Sequence, residues 1–183
     1  MNEKQPRIYN SIKQVILGAE SCLKSGCDYW IGWFSMQLKP KIRTIESKDV
    51  EVVYSIGKPF FAGPDKLDWG WTIEYVKFLS EYHTDTFFVA KMENKIVGFI
   101  VSKAPISSDK PLIGWLETMA VLPNYQKKGI GTLLINTAVK KLKEKGMKTI
   151  RLANWESKKE LSSLYKKNQF YPLDKLTMRE RKL

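Results

Sequence analysis

Apolar residues recur along this chain with two periods, and the switches between them predict its elements. Ile12, Val15, Ile16, Ala19 and Leu23 recur at helical spacing, followed by an aromatic stretch over 29–36. From Lys41 the pattern is more regular. Residues 41–45 read as a short strand, and Ser47 can cap a helix over about 48–56. Residues 57–70 carry Gly57, Pro59, Gly63 and Pro64 and read mostly as loop. Helical spacing returns over 71–82 through Tyr75, Val76 and Leu79. Two apolar, β-branched runs, 86–92 and 95–103, flank Glu93-Asn94 and predict a hairpin. Residues 112–121 predict a further strand. Residues 131–145 predict an amphipathic helix with Leu134, Ile135, Ala138, Val139 and Leu142 on one side, ended by Gly146. A strand over 148–154, a helix over 157–168 with Leu161, Leu164 and Tyr165 on one face, and a last strand over 177–183 complete the reading. The order β-α-α-β-β-β-α-β-α-β predicts an α/β fold, a mixed central sheet covered by helices over 41–183. Residues 1–40 form a separate helical and aromatic extension. It could cover the main domain, mediate a homodimer, or lie on a membrane surface.

Composition narrows the class. Of 183 residues, 43% are hydrophobic and 27% charged, as in a soluble globular protein. No apolar run approaches the ~20 residues of a membrane span, and no apolar stretch follows Lys4 and Arg7 as a secretory signal would require. Cys22 and Cys27 lack the companions of a zinc site and read as reduced thiols of a cytoplasmic protein. The net charge of +12 favours anionic partners. A polyanionic cofactor, an acidic substrate, nucleic acid and a solvated basic surface all fit that number. The lysines are scattered, as at 140, 141, 143 and 145, and no RNA-binding motif with interleaved aromatics appears, which argues against nucleic acid. His83 is the sole histidine, so neither a Ser–His–Asp set nor a metal cluster can be assembled around it.

The chemistry concentrates between Trp115 and Leu134. The run from Leu116 to Leu134 reads strand, tight loop, helix, with Pro123 stopping the strand. Gly129 and Gly131 permit backbone angles that a Cβ hinders. The amides of Lys127, Lys128, Gly129, Ile130, Gly131 and Thr132 can converge at the helix N-terminus, where the dipole favours a pyrophosphate. Lys127 and Lys128 add positive charge. There is no Walker A ending, and Leu134 breaks the dinucleotide-binding glycine pattern.

With Gln126, Gly129 and Gly131 meeting a Gln/Arg-x-x-Gly-x-Gly/Ala element after Met119-Ala120-Val121 and Pro123, the chain resembles the GCN5-related N-acetyltransferase (GNAT) superfamily. The resemblance covers about residues 41–183. It implies acetyl-CoA as cosubstrate, with its pantetheine arm along Met119, Ala120 and Val121, its pyrophosphate on the loop amides of Lys127 through Thr132, and Gln126 among the cofactor-binding residues. A second match, Leu164-Tyr165-Lys166-Lys167-Asn168-Gln169-Phe170, implies Tyr165 as the acid that protonates the departing thiolate. Two departures stand out. Gln169 occupies the family's usual Gly, and Lys158 stands where an Asn often touches CoA, with Asn154 a substitute. Glu117 is the candidate base for the attacking amine; two residues before Met119, alternation would place both on one strand face. It could equally hold a cationic substrate or pair with a lysine, and Glu156 is the second candidate. The aromatic segment 59–71, with Asp65 and Asp68, could receive the acceptor amine, of a small molecule or a protein. The competing reading is a CoA-binding regulatory module without catalysis.

Overall fold

The structure, a computed structural model, describes residues 40–62, 70–105, 112–154 and 159–174. Pro40–Leu183 form one compact unit. The N-terminal helix expected over 1–40 and the last strand expected over 177–183 lie outside the described residues.

Five strands form one sheet in the order β1-β2-β3-β4-β5. They are β1 (Lys41–Thr44), β2 (Phe87–Met92), β3 (Lys95–Lys103), β4 (Ile113–Val121) and β5 (Thr149–Leu152). The first four are antiparallel, and β5 lies parallel to β4. Glu93, at φ 53°, turns the predicted hairpin between β2 and β3. Four helices accompany the sheet: α1 (Val50–Phe61), α2 (Ile73–Tyr82), α3 (Ile130–Glu144) and α4 (Lys159–Lys167). The predicted order therefore holds for every element among the described residues.

Side-chain alternation splits the core into two layers. Phe87, Val89, Phe99, Val101 and Ala120 pack under Val53 and Ile56 of α1 and Val76 and Leu79 of α2. Phe88, Ala90, Val97, Ile100, Leu116 and Val121 pack against Ile130, Leu134, Ile135, Ala138 and Leu142 of α3, with Leu164 and Tyr165 of α4 alongside.

One segment departs from the sequence reading. Residues 57–61 are helix, not loop: α1 continues through Gly57 and Pro59 to Phe61. Tertiary packing outweighs the breaker residues there. Trp71 stacks on Phe99 at 5.4 Å, lies 5.1 Å from the Phe61 ring, and donates from Nε1 to the Tyr54 carbonyl at 3.0 Å. A Cβ on residue 57 would lie 2.3–2.6 Å from the Trp71 indole, so Gly57 is what admits it. Thr72 then caps α2 by accepting from the Tyr75 amide at 3.1 Å.

Ahead of α1, Asp49 is buried and accepts the guanidinium of Arg43 and the Glu46 amide. Burial would raise its pKa, but these bonds outweigh it and hold the carboxyl below its ordinary value. The contribution to stability is present above the unfolded-state value and is lost as pH falls through the lower folded-state value.

Gly57→Ala should destabilise the protein by about 1–3 kcal/mol through overpacking against Trp71, although alanine is the better helix former. Urea unfolding followed by tryptophan fluorescence measures this; an unchanged or raised midpoint would contradict the packing argument.

Candidate functional site

The site forms where β4 leaves its neighbour. The β4–β5 pairing runs from Ile113↔Thr149 to Leu116↔Leu152 and ends. On the other edge, Val101 pairs with Thr118 but Ser102 pairs with Leu116, so Glu117 is a surplus residue without a partner. The surplus reverses the alternation. Leu116 and Met119 both belong to the α3 layer, whereas Glu117 reaches Tyr75 of α2. The expectation that Glu117 and Met119 share a face is therefore corrected: the register shift between them puts them on opposite sides.

A small cavity, about 20 Å³, opens at this point, lined by Ile100, Leu116, Glu117, Thr118, Met119, Ile135, Ala153 and Tyr165. It collects groups from both faces because the two strands no longer close over it. Glu117 Oε1 accepts from Lys103 Nζ at 2.7 Å and from the Tyr75 hydroxyl at 3.1 Å. Glu117 Oε2 and Thr118 Oγ1 are buried without a hydrogen-bond partner among the described residues. The Tyr75 phenol is pushed up to about 12, first by burial, then by the charge and hydrogen bond of Glu117.

Tyr165 reaches the cavity from α4, and its ring meets Phe170 edge-on at 6.3 Å. Burial raises its pKa, so the phenol is neutral and carries its proton at working pH. The end of α4 also absorbs the Gln169 departure. Gln169 adopts φ 65°, a left-handed angle that glycine takes without strain, and Phe170 donates its amide to the Tyr165 carbonyl at 3.0 Å. Asn154 lies opposite α4 and donates to Ser162 Oγ at 3.4 Å. Glu156, Lys158, Asp65 and Asp68 lie outside the described residues.

The β4–α3 loop continues from the same strand. The Leu122 amide bonds to Val97 on β3, at 2.9 Å. Antiparallel alternation then turns the backbone groups of Ala120 toward β3 and those of Met119 and Val121 toward the open edge. The Val121 carbonyl there accepts the side chain of Gln126 at 2.8 Å, which ties the loop to the strand. Lys127 and Gly129 take left-handed φ of 59° and 80°. Gly129 caps α3, and the amides of Ile130, Gly131 and Thr132 occupy its first turn, where no preceding carbonyl can accept them. Space beside Gly129 is open, with nothing within 4 Å of a Cβ placed there. Lys128 Nζ lies 5.5 Å from the Tyr125 ring centre. Gln126 thus ties this loop to the strand, and the first-turn amides of α3 follow directly after it.

The chain matches the Acetyltransferase (GNAT) family over residues 50–170. It belongs to that family. An uncharacterised N-acetyltransferase of Methanocaldococcus jannaschii is 25% identical over 161 residues, 82% of this chain and 70% of that protein. An N-alpha-acetyltransferase of Sulfurisphaera tokodaii is 31% identical over 111 residues, 57% of this chain and 63% of that protein. The structure of AAC(6')-Iy with a bisubstrate analogue, CoA-S-monomethyl-acetylneamine, shares the fold with a TM-score of 0.63 at 15% identity, over 79% of this chain and 99% of that one. Among the described residues of this acetyltransferase, no group of acidic, cysteine or histidine side chains could hold a metal ion, and no helix is long and apolar enough to cross a membrane.

Sequence reasoning missed Lys103 and Tyr75. Nothing in their local pattern marks them, because strand pairing and the packing of α2 bring them to Glu117 from distant parts of the chain. His83 ends α2, and its carbonyl accepts the amides of Thr86 and Phe87. Burial, then the charge of Lys103, lowers its imidazole below 6.5, while Glu117 and Asp85 act the other way. A histidine depressed on folding favours the unfolded state once that state protonates. Stability attributable to His83 is thus present above pH ~6.5 and lost as pH falls toward the lower folded-state value. His83→Gln should lose less stability than the parent between pH 7 and 5.5 in parallel thermal melts. Equal losses would contradict the assignment.

Proposed function

We propose that this acetyltransferase moves the acetyl group of acetyl-CoA to a primary amine by direct attack, with Glu117 taking the amine proton and Tyr165 supplying a proton to the leaving sulfur. The observation that carries the reading is the meeting of Glu117, Met119 and Tyr165 around one cavity at the end of the β4–β5 pairing. Bound acetyl-CoA would supply a thioester whose carbonyl carbon accepts the amine nitrogen and whose sulfur leaves.

The chain's own residues fit that partner. The first-turn amides of α3, the open space beside Gly129 and the charges of Lys127 and Lys128 suit a pyrophosphate. The outward backbone groups of Met119 and Val121 suit the amide-bearing pantetheine arm, with Ala120 shaping the strand between them. The Met119 amide is the candidate donor to the carbonyl oxygen as it gains charge. The neutral phenol of Tyr165 can donate to a thiolate, and Glu117 Oε2 is free to accept a proton from nitrogen.

Two acceptor classes are open to test, the α-amine of a peptide and a small polyamine. The relative from Sulfurisphaera tokodaii, named as an N-alpha-acetyltransferase, favours the first. The complex with an acetylneamine analogue favours the second.

Incubation with acetyl-CoA and either a short peptide bearing a free α-amine or neamine should release free thiol in step with N-acetylated product. Tight CoA binding with no product from either probe would favour the regulatory reading. Tyr165→Phe should lower kcat by about 10²-fold with the acetyl-CoA Kd nearly unchanged. Gly131→Glu should leave the fold intact, since its Cβ meets only side-chain ends, of Leu164 and Met119, at ordinary contact distances of 3.4–3.9 Å. Its added negative charge should weaken acetyl-CoA binding by about tenfold or more, ~1.4 kcal/mol. Unchanged affinity by calorimetry would overturn the assignment of the loop.

A further inference from the structure

The two oxygens of Glu117 are in different situations. Oε1 is occupied twice, by Lys103 from the end of β3 and by Tyr75 from the first turn of α2. Oε2, on a residue that lines the cavity, is buried and has no hydrogen-bond partner among the described residues. A buried carboxylate oxygen left without a donor is costly, and a donor brought into the cavity, such as an amine N–H, would relieve that cost.

We infer that Lys103 and Tyr75 are positioning residues that pin Oε1 of Glu117 and so present Oε2 alone to the N–H of the incoming amine. The inference rests on the assignment of Glu117 as the group that takes the amine proton. Two donors from separate elements fix the carboxylate in rotation as well as position, which one donor would not do. The Tyr75 phenol, pushed to about 12, keeps its proton and so donates throughout the working range. Lys103 adds a charge-assisted bond and offsets the carboxylate's charge without covering Oε2. In the transfer, the amine nitrogen bonds to the acetyl carbon, the C–S bond breaks with its electron pair on sulfur, and the nitrogen's proton goes to Oε2. Tyr165 protonates the sulfur.

A kinetic cycle on the full chain, with acetyl-CoA and the peptide α-amine or neamine as acceptor, tests this. Lys103→Met should lower kcat about tenfold, with the acceptor KM changing less and the acetyl-CoA Kd within about twofold; Lys103→Arg should restore most of the rate. In a Glu117→Gln background the same Lys103→Met change should cost no more than about twofold, because the group it positions is gone. Tyr75→Phe should follow the same pattern with a smaller loss, and it carries the cycle alone if Lys103→Met fails to fold. Losses of equal size with Glu or Gln at position 117 would overturn the positioning role while leaving the Glu117 assignment standing. A Glu117→Gln protein with the parental kcat would instead sink that assignment, and the inference with it.

Discussion

Strand β4 carries one residue more than β3 can pair, and the surplus falls at Glu117. Everything distinctive about the site follows from that placement. Before it, β4 is held on both edges, by β3 and by β5. Beyond it, β5 has ended, and the outward amides and carbonyls of Met119 and Val121 face an open edge. A sheet with regular pairing throughout would have no cavity there, because strands about 4.8 Å apart leave no room between their backbones. The bulge also lets residues of opposite faces line one space, with Glu117 and Thr118 beside Met119 and Tyr165.

The two layers of the core serve this opening in different ways. On one face, Trp71 locks α1 to the start of α2 through Gly57, Phe61, Phe99 and the Tyr54 carbonyl. That contact and the Thr72 cap fix where α2 begins, and Tyr75 stands in its first turn. On the other face, Ile130, Leu134, Ile135, Ala138 and Leu142 seat α3 on the sheet, so its first turn is delivered to the end of β4. Gln126 closes the short path between them by bonding to Val121. The sheet edge, the helix terminus and the acidic side chain are therefore held by rigid packing, with little left to the loop itself.

The loop after β4 and the tyrosine of α4 were legible because their signals are local. Gly129 needs a left-handed angle that its residue type makes cheap, and a strand, a proline and a periodic helix bracket it within twenty residues. Helical spacing and β-branched runs likewise placed most elements to within a few residues. Two readings failed, and both failed on long-range contacts. Gly57 and Pro59 read as loop because local preference disfavours them in a helix, yet burial of Phe61 against Trp71 carries α1 through them. Glu117 was placed on the face of Met119 because strict alternation is the only rule a strand shows in sequence. A bulge has no composition signal at that point, since it is defined by what the partner strand fails to pair.

The sequence by itself determined the order of elements, the glycine-bearing turn into α3, the family to which the chain is similar, and the chemical identity of Glu117 and Tyr165. Those are properties of residue type and short spacing. Only the tertiary structure decided that Glu117 turns toward Tyr75 and Lys103, that one of its oxygens is tied and the other left without a partner among the described residues, and that Tyr165 lines the same cavity. Residues 75, 103, 117 and 165 are too far apart in the chain for any local pattern to join them. Strand pairing brings 103 and 117 together, a property of two strands at once, and helix packing on the sheet adds 75 and 165.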